Sequence, residues 1–233
     1  MKLKILLLAI ICVLVPALGA AQSHSDTKQD RIKVPIIKQS ARDLPPSSLD
    51  DGNKMFVGNK EYQTLRKELS KGQHPRTIVL TCSDSRVAPE IVFSKTLGEL
   101  FVVRNAGNVI DSVALGSIEY AAEHLHSSIL LVLGHTKCGA VTAACSGRTE
   151  SPYINSIISN IEPAVAEAKH NHKSGDELIE SAAIENVQLQ IKNVMKSKII
   201  EELVESGKLK IIGGIYNIST GKVEILESEP HGH

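Results

Sequence analysis

The chain has 233 residues, and its 26 Lys and Arg are balanced by 26 Asp and Glu, so the formal net charge at pH 7 is zero. This balance, with no basic patch along the chain, argues against a nucleic-acid-binding protein. The chain contains no Trp and only 3% aromatic residues, so its hydrophobic core must be aliphatic.

The N-terminus has the layout of a secretory signal peptide. Lys2 and Lys4 precede an uncharged apolar run over 5–18, and small residues at 19–21 provide a cleavage site. We therefore predict a signal peptide at 1–21 and an exported protein, periplasmic or secreted. An uncleaved anchor is the alternative, but the run is shorter than the ~20 residues that a membrane-spanning helix needs. We expect no stable membrane anchor after cleavage.

The remaining chain is predicted to hold a polar arm and one domain. Residues 22–49 are polar, contain three prolines and have no sustained periodicity, which is typical of a tether that continues as an extended arm. Residues 50–228 are enough for one domain with its own core. Residues 229–233 are predicted to be a solvated tail.

Within the predicted domain, apolar periodicity indicates helices that alternate with strands. The predicted helices span 51–70, 112–126, 139–146, 152–169 and 183–205, with a short helical turn from Pro89. The predicted strands begin at 77 and then cover 99–104, 129–133, 208–216 and 223–226. This alternation predicts an α/β fold with a mainly parallel central sheet, of about four parallel strands plus an edge strand, flanked by helices. Ligands of such sheets bind beyond the carboxyl ends of the strands.

Two predicted strands end in residues that bind metals. Cys82, Asp84 and Arg86 alternate with small residues after the strand that begins at 77, so an extended backbone would point all three to one side. His135 and Cys138 follow the strand at 129–133, where a helix is predicted to begin. Two thiolates and an imidazole are suitable ligands for zinc, and Asp84 is an alternative fourth ligand.

The pair of motifs, Cys82-Ser-Asp-Ser-Arg86 and His135-x-x-Cys138, closely resembles the β-class carbonic anhydrases, and the separation of the two motifs also fits. The resemblance runs from about Asp51 to Leu226. It implies a zinc enzyme that catalyses the reversible hydration of CO2 to bicarbonate and a proton through a zinc-bound hydroxide. It also implies a homodimer or higher homo-oligomer, in which an N-terminal helical arm lies across a partner subunit.

The resemblance also implies roles for other residues. Asp84 and Arg86 would form a catalytic dyad, in which the paired carboxylate turns away from zinc and accepts a hydrogen bond from the hydroxide. Three residues fit the substrate pocket of the family: Gln73, Phe101 and Tyr120. Gln73 could donate a hydrogen bond to a bicarbonate oxygen, and Phe101 would exclude water from the part of the pocket that binds CO2.

Some relatives have a closed form, in which the aspartate binds zinc and bicarbonate occupies a side pocket built from a Trp, an Arg and a Tyr. Arg104 and Tyr216 fit two of these positions, but the Trp position is Val79, which can neither donate a hydrogen bond nor cap the pocket. The loss of such a contact is worth about 1–3 kcal/mol. We therefore expect Asp84 to pair with Arg86 and to leave the fourth zinc position to water.

Three alternatives remain open at this point. The same fold and metal could serve the hydrolysis of carbon disulfide or carbonyl sulfide. The chain could instead be a non-catalytic zinc or interaction domain with Asp84 as a permanent ligand. A Cys82–Cys138 disulfide is the third alternative, but it would leave His135, Asp84 and Arg86 without a role. Cys145 is predicted to be a small buried hydrophobic residue.

Overall fold

The computed structural model describes residues 47–148, 150–171 and 173–226. The predicted signal peptide, most of the predicted arm and the predicted tail lie outside these residues. The described residues from Leu49 onward belong to one compact unit. Among the described residues, no helix combines the length and the hydrophobicity of a transmembrane segment.

The described part of the chain folds around a five-stranded sheet with the order β2-β1-β3-β4-β5. The strands are β1 (Thr77–Cys82), β2 (Leu100–Asn105), β3 (Ile129–His135), β4 (Lys210–Tyr216) and β5 (Val223–Leu226). The first four strands are parallel, and β5 pairs antiparallel with β4 at the edge. This sheet confirms the predicted α/β fold class.

Helices connect the strands in the order that the sequence predicts. The described α-helices are α1 (Ser47–Gly58), α2 (Lys60–Leu69), α3 (Pro89–Val92), α4 (Ser112–Glu119), α5 (Gly139–Ser146), α6 (Pro152–His170), α7 (Gly175–Val194) and α8 (Lys198–Glu205). A single-turn 3-10 helix, Ala106–Asn108, follows β2, and a π-helical turn, Tyr120–His124, extends α4.

Two predicted helices are each broken in two, and in both cases a capping residue causes the break. The prediction of one helix over 51–70 is wrong because Asn59 leaves the helical conformation and its side chain accepts a hydrogen bond from the Glu61 N–H. The predicted helix at 183–205 begins earlier, at Gly175, and ends at Val194. Ser197 then starts a new helix by accepting from the Ile200 N–H. Side-chain oxygens that bond the first free N–H groups of a helix favour a helix start at that point.

The core is aliphatic, as the composition predicts, and it places helices α4, α7 and α8 against one face of the sheet. Ile78 and Leu80 of β1 belong to this face and are completely buried. Because side chains alternate along a strand, Cys82 continues the same face. There it contacts a second buried cluster, formed mainly by α5, α6 and α7. The end of β1 is therefore enclosed by helices.

Candidate metal centre

The carboxyl ends of β1 and β3 bring the two sequence motifs together. Cys82 is the last residue of β1 and His135 is the last residue of β3. The two strands are adjacent and parallel, so their carboxyl ends lie side by side. After His135, a two-residue turn leads to Cys138, which immediately precedes α5.

This turn is held in place by the sheet. The Thr136 N–H donates to the Tyr216 carbonyl at 3.0 Å, and the Thr136 hydroxyl accepts from the Ile218 N–H at 3.1 Å. Lys137 adopts a φ of 54°, a left-handed conformation that is uncommon for a residue other than glycine. The sheet therefore fixes the sharp reversal that brings Cys138 back beside His135.

Cys82, His135 and Cys138 form a buried cluster that could hold one metal ion. Their candidate ligand atoms all lie within 4.8 Å of one another, and the residues are 5%, 1% and 1% exposed. The three described cysteines, including Cys145, are free, so the alternative of a Cys82–Cys138 disulfide is not what the structure contains.

The orientation of the imidazole suits a metal. Nδ1 of His135 lies 2.9 Å from the Thr136 carbonyl oxygen. A carbonyl can only accept, so in the neutral ring Nδ1 carries the hydrogen and Nε2 presents a lone pair. Nε2 is buried and has no hydrogen-bond partner among the described residues. This buried, unpartnered nitrogen beside two thiols fits a zinc ion.

The two thiols influence each other's protonation. The hydrogen bond from the Cys138 thiol lowers the pKa of Cys82, while the same contact with the Cys82 thiolate raises the pKa of Cys138. Burial lowers the pKa of His135, but the neighbouring Cys82 thiolate, the Thr136 carbonyl and the Asp84 carboxylate together outweigh it and raise that pKa overall. The cluster thus carries a thiolate that attracts positive charge, and a divalent cation would displace the second thiol proton.

Asp84 is separate from this cluster and is paired with Arg86. The guanidinium Nε lies 2.9 Å from Asp84 Oδ1 and Nη2 lies 2.6 Å from Oδ2, while the Arg86 backbone N–H also donates to Oδ1 at 2.9 Å. These hydrogen bonds hold the pKa of Asp84 well below its usual range. The carboxylate is therefore ionised at neutral pH and is oriented by three donors.

Arg104 and the loop after β2 support the same region. Arg104 donates from Nε to the Cys82 carbonyl at 3.1 Å and from Nη2 to the Asp84 carbonyl at 2.8 Å. The Gly107 N–H donates to the Cys82 sulfur at 3.3 Å. A hydrogen bond from a backbone N–H stabilises a thiolate, so the loop after β2 directly supports one predicted ligand.

The structure does not bring the three predicted pocket residues to the metal cluster of the same chain. Gln73 precedes β1, and the nearby Pro75 accepts from Ser127, just before β3, so this segment lies at the amino ends of the strands. Phe101 pairs with Ile78, four residues before Cys82, which corresponds to about 13 Å along a strand. Tyr120 contacts Phe101, with 6.2 Å between ring centroids.

Val79, at the Trp position of the predicted side pocket, is packed in the core. Val79 is completely buried and belongs to a small apolar cluster with Leu131 and Leu133, against which Tyr216 packs. Arg104 uses its donors on backbone carbonyls. Val79 is therefore a core residue, as its aliphatic side chain suits.

Two residues near the site were missed by the sequence analysis. Asn186 and Gln190 of α7 are completely buried and contact the loop after β2. The signal that could have found them is a pair of amides at i and i+4 within the apolar stripe of a predicted helix, because a buried amide needs hydrogen-bond partners.

Comparison with known proteins gives a consistent result. A family profile described as "Carbonic anhydrase" matches residues 77–223. Carbonic anhydrase 2 of Mycobacterium tuberculosis is 36% identical over 190 residues, covering 77% of this chain and 90% of that protein. Among solved structures, the β-carbonic anhydrase CcaA is 32% identical with a TM-score of 0.73, covering 78% of this chain and 94% of that one. The β-carbonic anhydrase CafA of Aspergillus fumigatus is 28% identical with a TM-score of 0.74, covering 79% and 92%.

Proposed function

The chain belongs to the β-carbonic anhydrase family, and from this premise we propose that it catalyses the reversible hydration of CO2 to bicarbonate and a proton. Cys82, His135 and Cys138 would hold the zinc ion. The observation that carries the assignment is their buried cluster, in which His135 Nε2 has no partner among the described residues and the ligand atoms lie within 4.8 Å of one another.

Zinc in this cluster would lower the pKa of a bound water and so supply hydroxide at neutral pH, a property for which carbonic anhydrases are the standard example. Asp84 would accept a hydrogen bond from this hydroxide, because its ionised carboxylate can only accept. That hydrogen bond would leave a lone pair of the oxygen free to attack the carbon of CO2. Arg86 holds the Asp84 carboxylate through the two side-chain contacts of 2.9 and 2.6 Å and would keep it from ligating the zinc.

The same ion pair argues against the non-catalytic alternative. A permanently four-coordinate protein site would need the Asp84 carboxylate as a ligand. That carboxylate instead uses both oxygens on Arg86 and is not part of the Cys82, His135 and Cys138 cluster. An open coordination position is what a hydration reaction requires.

The active form is proposed to be a homodimer in which Gln73, Phe101 and Tyr120 of one subunit complete the pocket of the other. These residues are remote from Cys82 within one chain, so their predicted role in the pocket requires a second copy of the chain. The strand β2 is at an edge of the described sheet, and a groove of about 350 Å³ runs between β2 and α4. Val113 and Tyr120, at 76% and 47% exposed, present apolar surface on this side.

Export to the periplasm or the medium is also proposed. It rests on Lys2, Lys4 and the uncharged apolar run over 5–18 followed by small residues, which together suit a cleaved signal peptide.

Stopped-flow CO2 hydration tests the activity. The zinc-loaded chain beginning at Gln22 should hydrate CO2, with a rate that increases with pH around neutrality. Asp84→Asn, which keeps the shape but loses the charge, should reduce kcat/KM by about 10²-fold and retain zinc. Parallel assays with carbon disulfide and carbonyl sulfide test the rival substrates. Stoichiometric zinc without CO2 hydration at any pH would overturn the proposal.

A further inference from the structure

Buried amides on α7 contact the loop that supports Cys82. Asn186 Nδ2 donates to the Gly107 carbonyl at 2.9 Å, and the Ile110 N–H donates to Gln190 Oε1 at 2.8 Å. Gln190 Nε2 in turn donates to Asn186 Oδ1 at 3.0 Å. Asn186 and Gln190 are both 0% exposed, so water does not compete for these bonds.

The polarity of this chain of hydrogen bonds is forced at every step. The Ile110 N–H can only donate, so Gln190 must present its oxygen there and its nitrogen toward Asn186. Asn186 must then present its oxygen to Gln190 and its nitrogen to the Gly107 carbonyl, which can only accept. Neither amide can flip without leaving a buried group unpaired, a cost that is larger than the net gain of an ordinary hydrogen bond.

The loop needs such a tether because its central residue is glycine. Gly107 has a φ of 76°, and a Cβ there would lie 2.7 Å from Ile161 Cδ1 and 3.1 Å from Ala140 Cβ, so the site admits only glycine. Glycine also has the widest range of backbone conformations. The direction of the Gly107 N–H, 3.3 Å from Cys82 Sγ, therefore depends on contacts made by the rest of the loop.

Asn105 closes the loop but does not orient Gly107. Its side chain donates to the Val109 carbonyl and accepts from the Val109 N–H, both at 2.8 Å. These bonds fix the two ends of the loop. The contact to the carbonyl of Gly107 itself comes from Asn186.

We propose that Asn186 and Gln190 are positioning residues of the metal centre, which hold the Gly107 N–H against the sulfur of Cys82. This inference rests on the proposed function, because it takes Cys82 to be a zinc ligand. An N–H donor on a ligating thiolate orients the ligand and tunes the metal–sulfur bond, and groups of this kind typically change metal affinity by about 10–100-fold.

The test compares the metal-loaded variants Asn186→Leu and Asn186→Ala with the wild type. Both lose the donor to the Gly107 carbonyl, and Leu also keeps a similar size. We expect zinc affinity, measured by competition with a chelator, to fall by about 10-fold. In the Co2+-loaded protein, the thiolate-to-metal charge-transfer band should move to lower energy, because a sulfur that loses a hydrogen bond gives up electron density more easily.

Ser127→Ala is the matched control. It removes another buried hydrogen bond, from Ser127 to the Pro75 carbonyl, at the opposite ends of the strands. It should lower stability and leave both metal readouts at the wild-type value. Folded Asn186 variants with wild-type zinc affinity and an unmoved charge-transfer band would overturn the inference.

A measurement on the wild type covers the case in which the Asn186 variants do not fold. In the protein loaded with ¹¹³Cd, the amide hydrogen of Gly107 should show scalar coupling to the metal through the Cys82 sulfur. A Gly107 amide without this coupling would overturn the positioning role. A wild-type chain that binds no zinc would instead overturn the proposed function, so the two failures are distinguishable.

Discussion

Arg86 donates hydrogen bonds to both carboxylate oxygens of Asp84, with Nε 2.9 Å from Oδ1 and Nη2 2.6 Å from Oδ2. Arg86 also reaches the Lys137 carbonyl from Nη2 at 3.3 Å, so it links the motif after β1 to the turn after β3. The ion pair therefore orients the Asp84 carboxylate before the substrate binds.

Loss of the Asp84–Arg86 ion pair should lower the activity without loss of zinc. Arg86→Gln frees the carboxylate of Asp84, which then lacks its orientation and can approach the metal. We expect kcat/KM to fall by about 10²-fold with zinc content unchanged, and X-ray absorption to show a carboxylate oxygen on zinc. Arg76→Gln, at the exposed amino end of β1, should have wild-type activity. Full activity in Arg86→Gln would contradict the role of the pair.

The same variant should change how stability depends on pH. The pKa of Asp84 is lowered in the folded state, so the pair stabilises the fold above the unfolded-state pKa of about 3.9. This contribution is lost as the pH falls through the lower folded-state value. The difference in urea midpoint between the wild type and Arg86→Gln should therefore be constant above about pH 5 and shrink below about pH 4. A difference that grows on acidification would contradict this sign.

Removal of either thiolate should remove the metal. Cys82→Ser and Cys138→Ser replace a charged sulfur ligand by a neutral hydroxyl, which binds zinc far more weakly. We expect zinc content, measured by elemental analysis, and CO2 hydration to be lost together. Cys145→Ser is the control, because this half-buried thiol lies outside the cluster, and it should retain both. Full zinc content in either ligand variant would refute the assignment.

Mixed dimers should recover activity that neither parent has. Cys82→Ser lacks the metal, and Gln73→Leu lacks a predicted pocket residue. If each pocket combines the two positions from different subunits, one pocket of every mixed dimer is intact. Random reassociation of equal amounts should then restore about one quarter of wild-type activity. No recovery in mass-verified mixed dimers would mean that the pocket is not shared between subunits.

The mature protein made in its native host should begin near Ala21 or Gln22. N-terminal sequencing of the purified protein measures this. Leu7→Arg places a charge within the apolar run and should block processing, so that this variant keeps Met1. A wild-type protein recovered intact from the cytosol, beginning at Met1, would refute export.

Gly134 should be intolerant of a larger side chain. A Cβ at this position of β3 would lie 2.7 Å from Val187 Cγ2 and 2.9 Å from Ile215 Cδ1. Gly134→Ala should therefore lower the free energy of unfolding by about 1–3 kcal/mol, as measured by urea denaturation. Gly52→Ala, in the exposed helix α1 with no atom within 4 Å of its Cβ, should stabilise by about 0.5–1 kcal/mol. Equal effects of the two substitutions would contradict the packing argument.

The fold class and the ligand set of a zinc site could be predicted from the sequence. Each motif is short, so Cys82, Asp84 and Arg86 are placed by the local geometry of one strand end, and His135 and Cys138 by that of another. Parallel strands place such ends at the same edge of a sheet, and adjacent strands bring them side by side. The observed order of β1 beside β3 confirms that reasoning.

The contacts of α7 with the loop after β2 could not be predicted from the sequence. Asn186 and Gln190 contact a loop that lies about 80 residues earlier, and their role follows only from the close packing of α7 beside that loop. The separation of Gln73 and Phe101 from Cys82 also follows from the structure. Gln73 precedes β1, and Phe101 pairs with Ile78 near the start of that strand. The periodicity of apolar residues predicts which face of a helix or strand is buried. It does not predict which other elements pack against that face, because those contacts depend on the packing of the whole core.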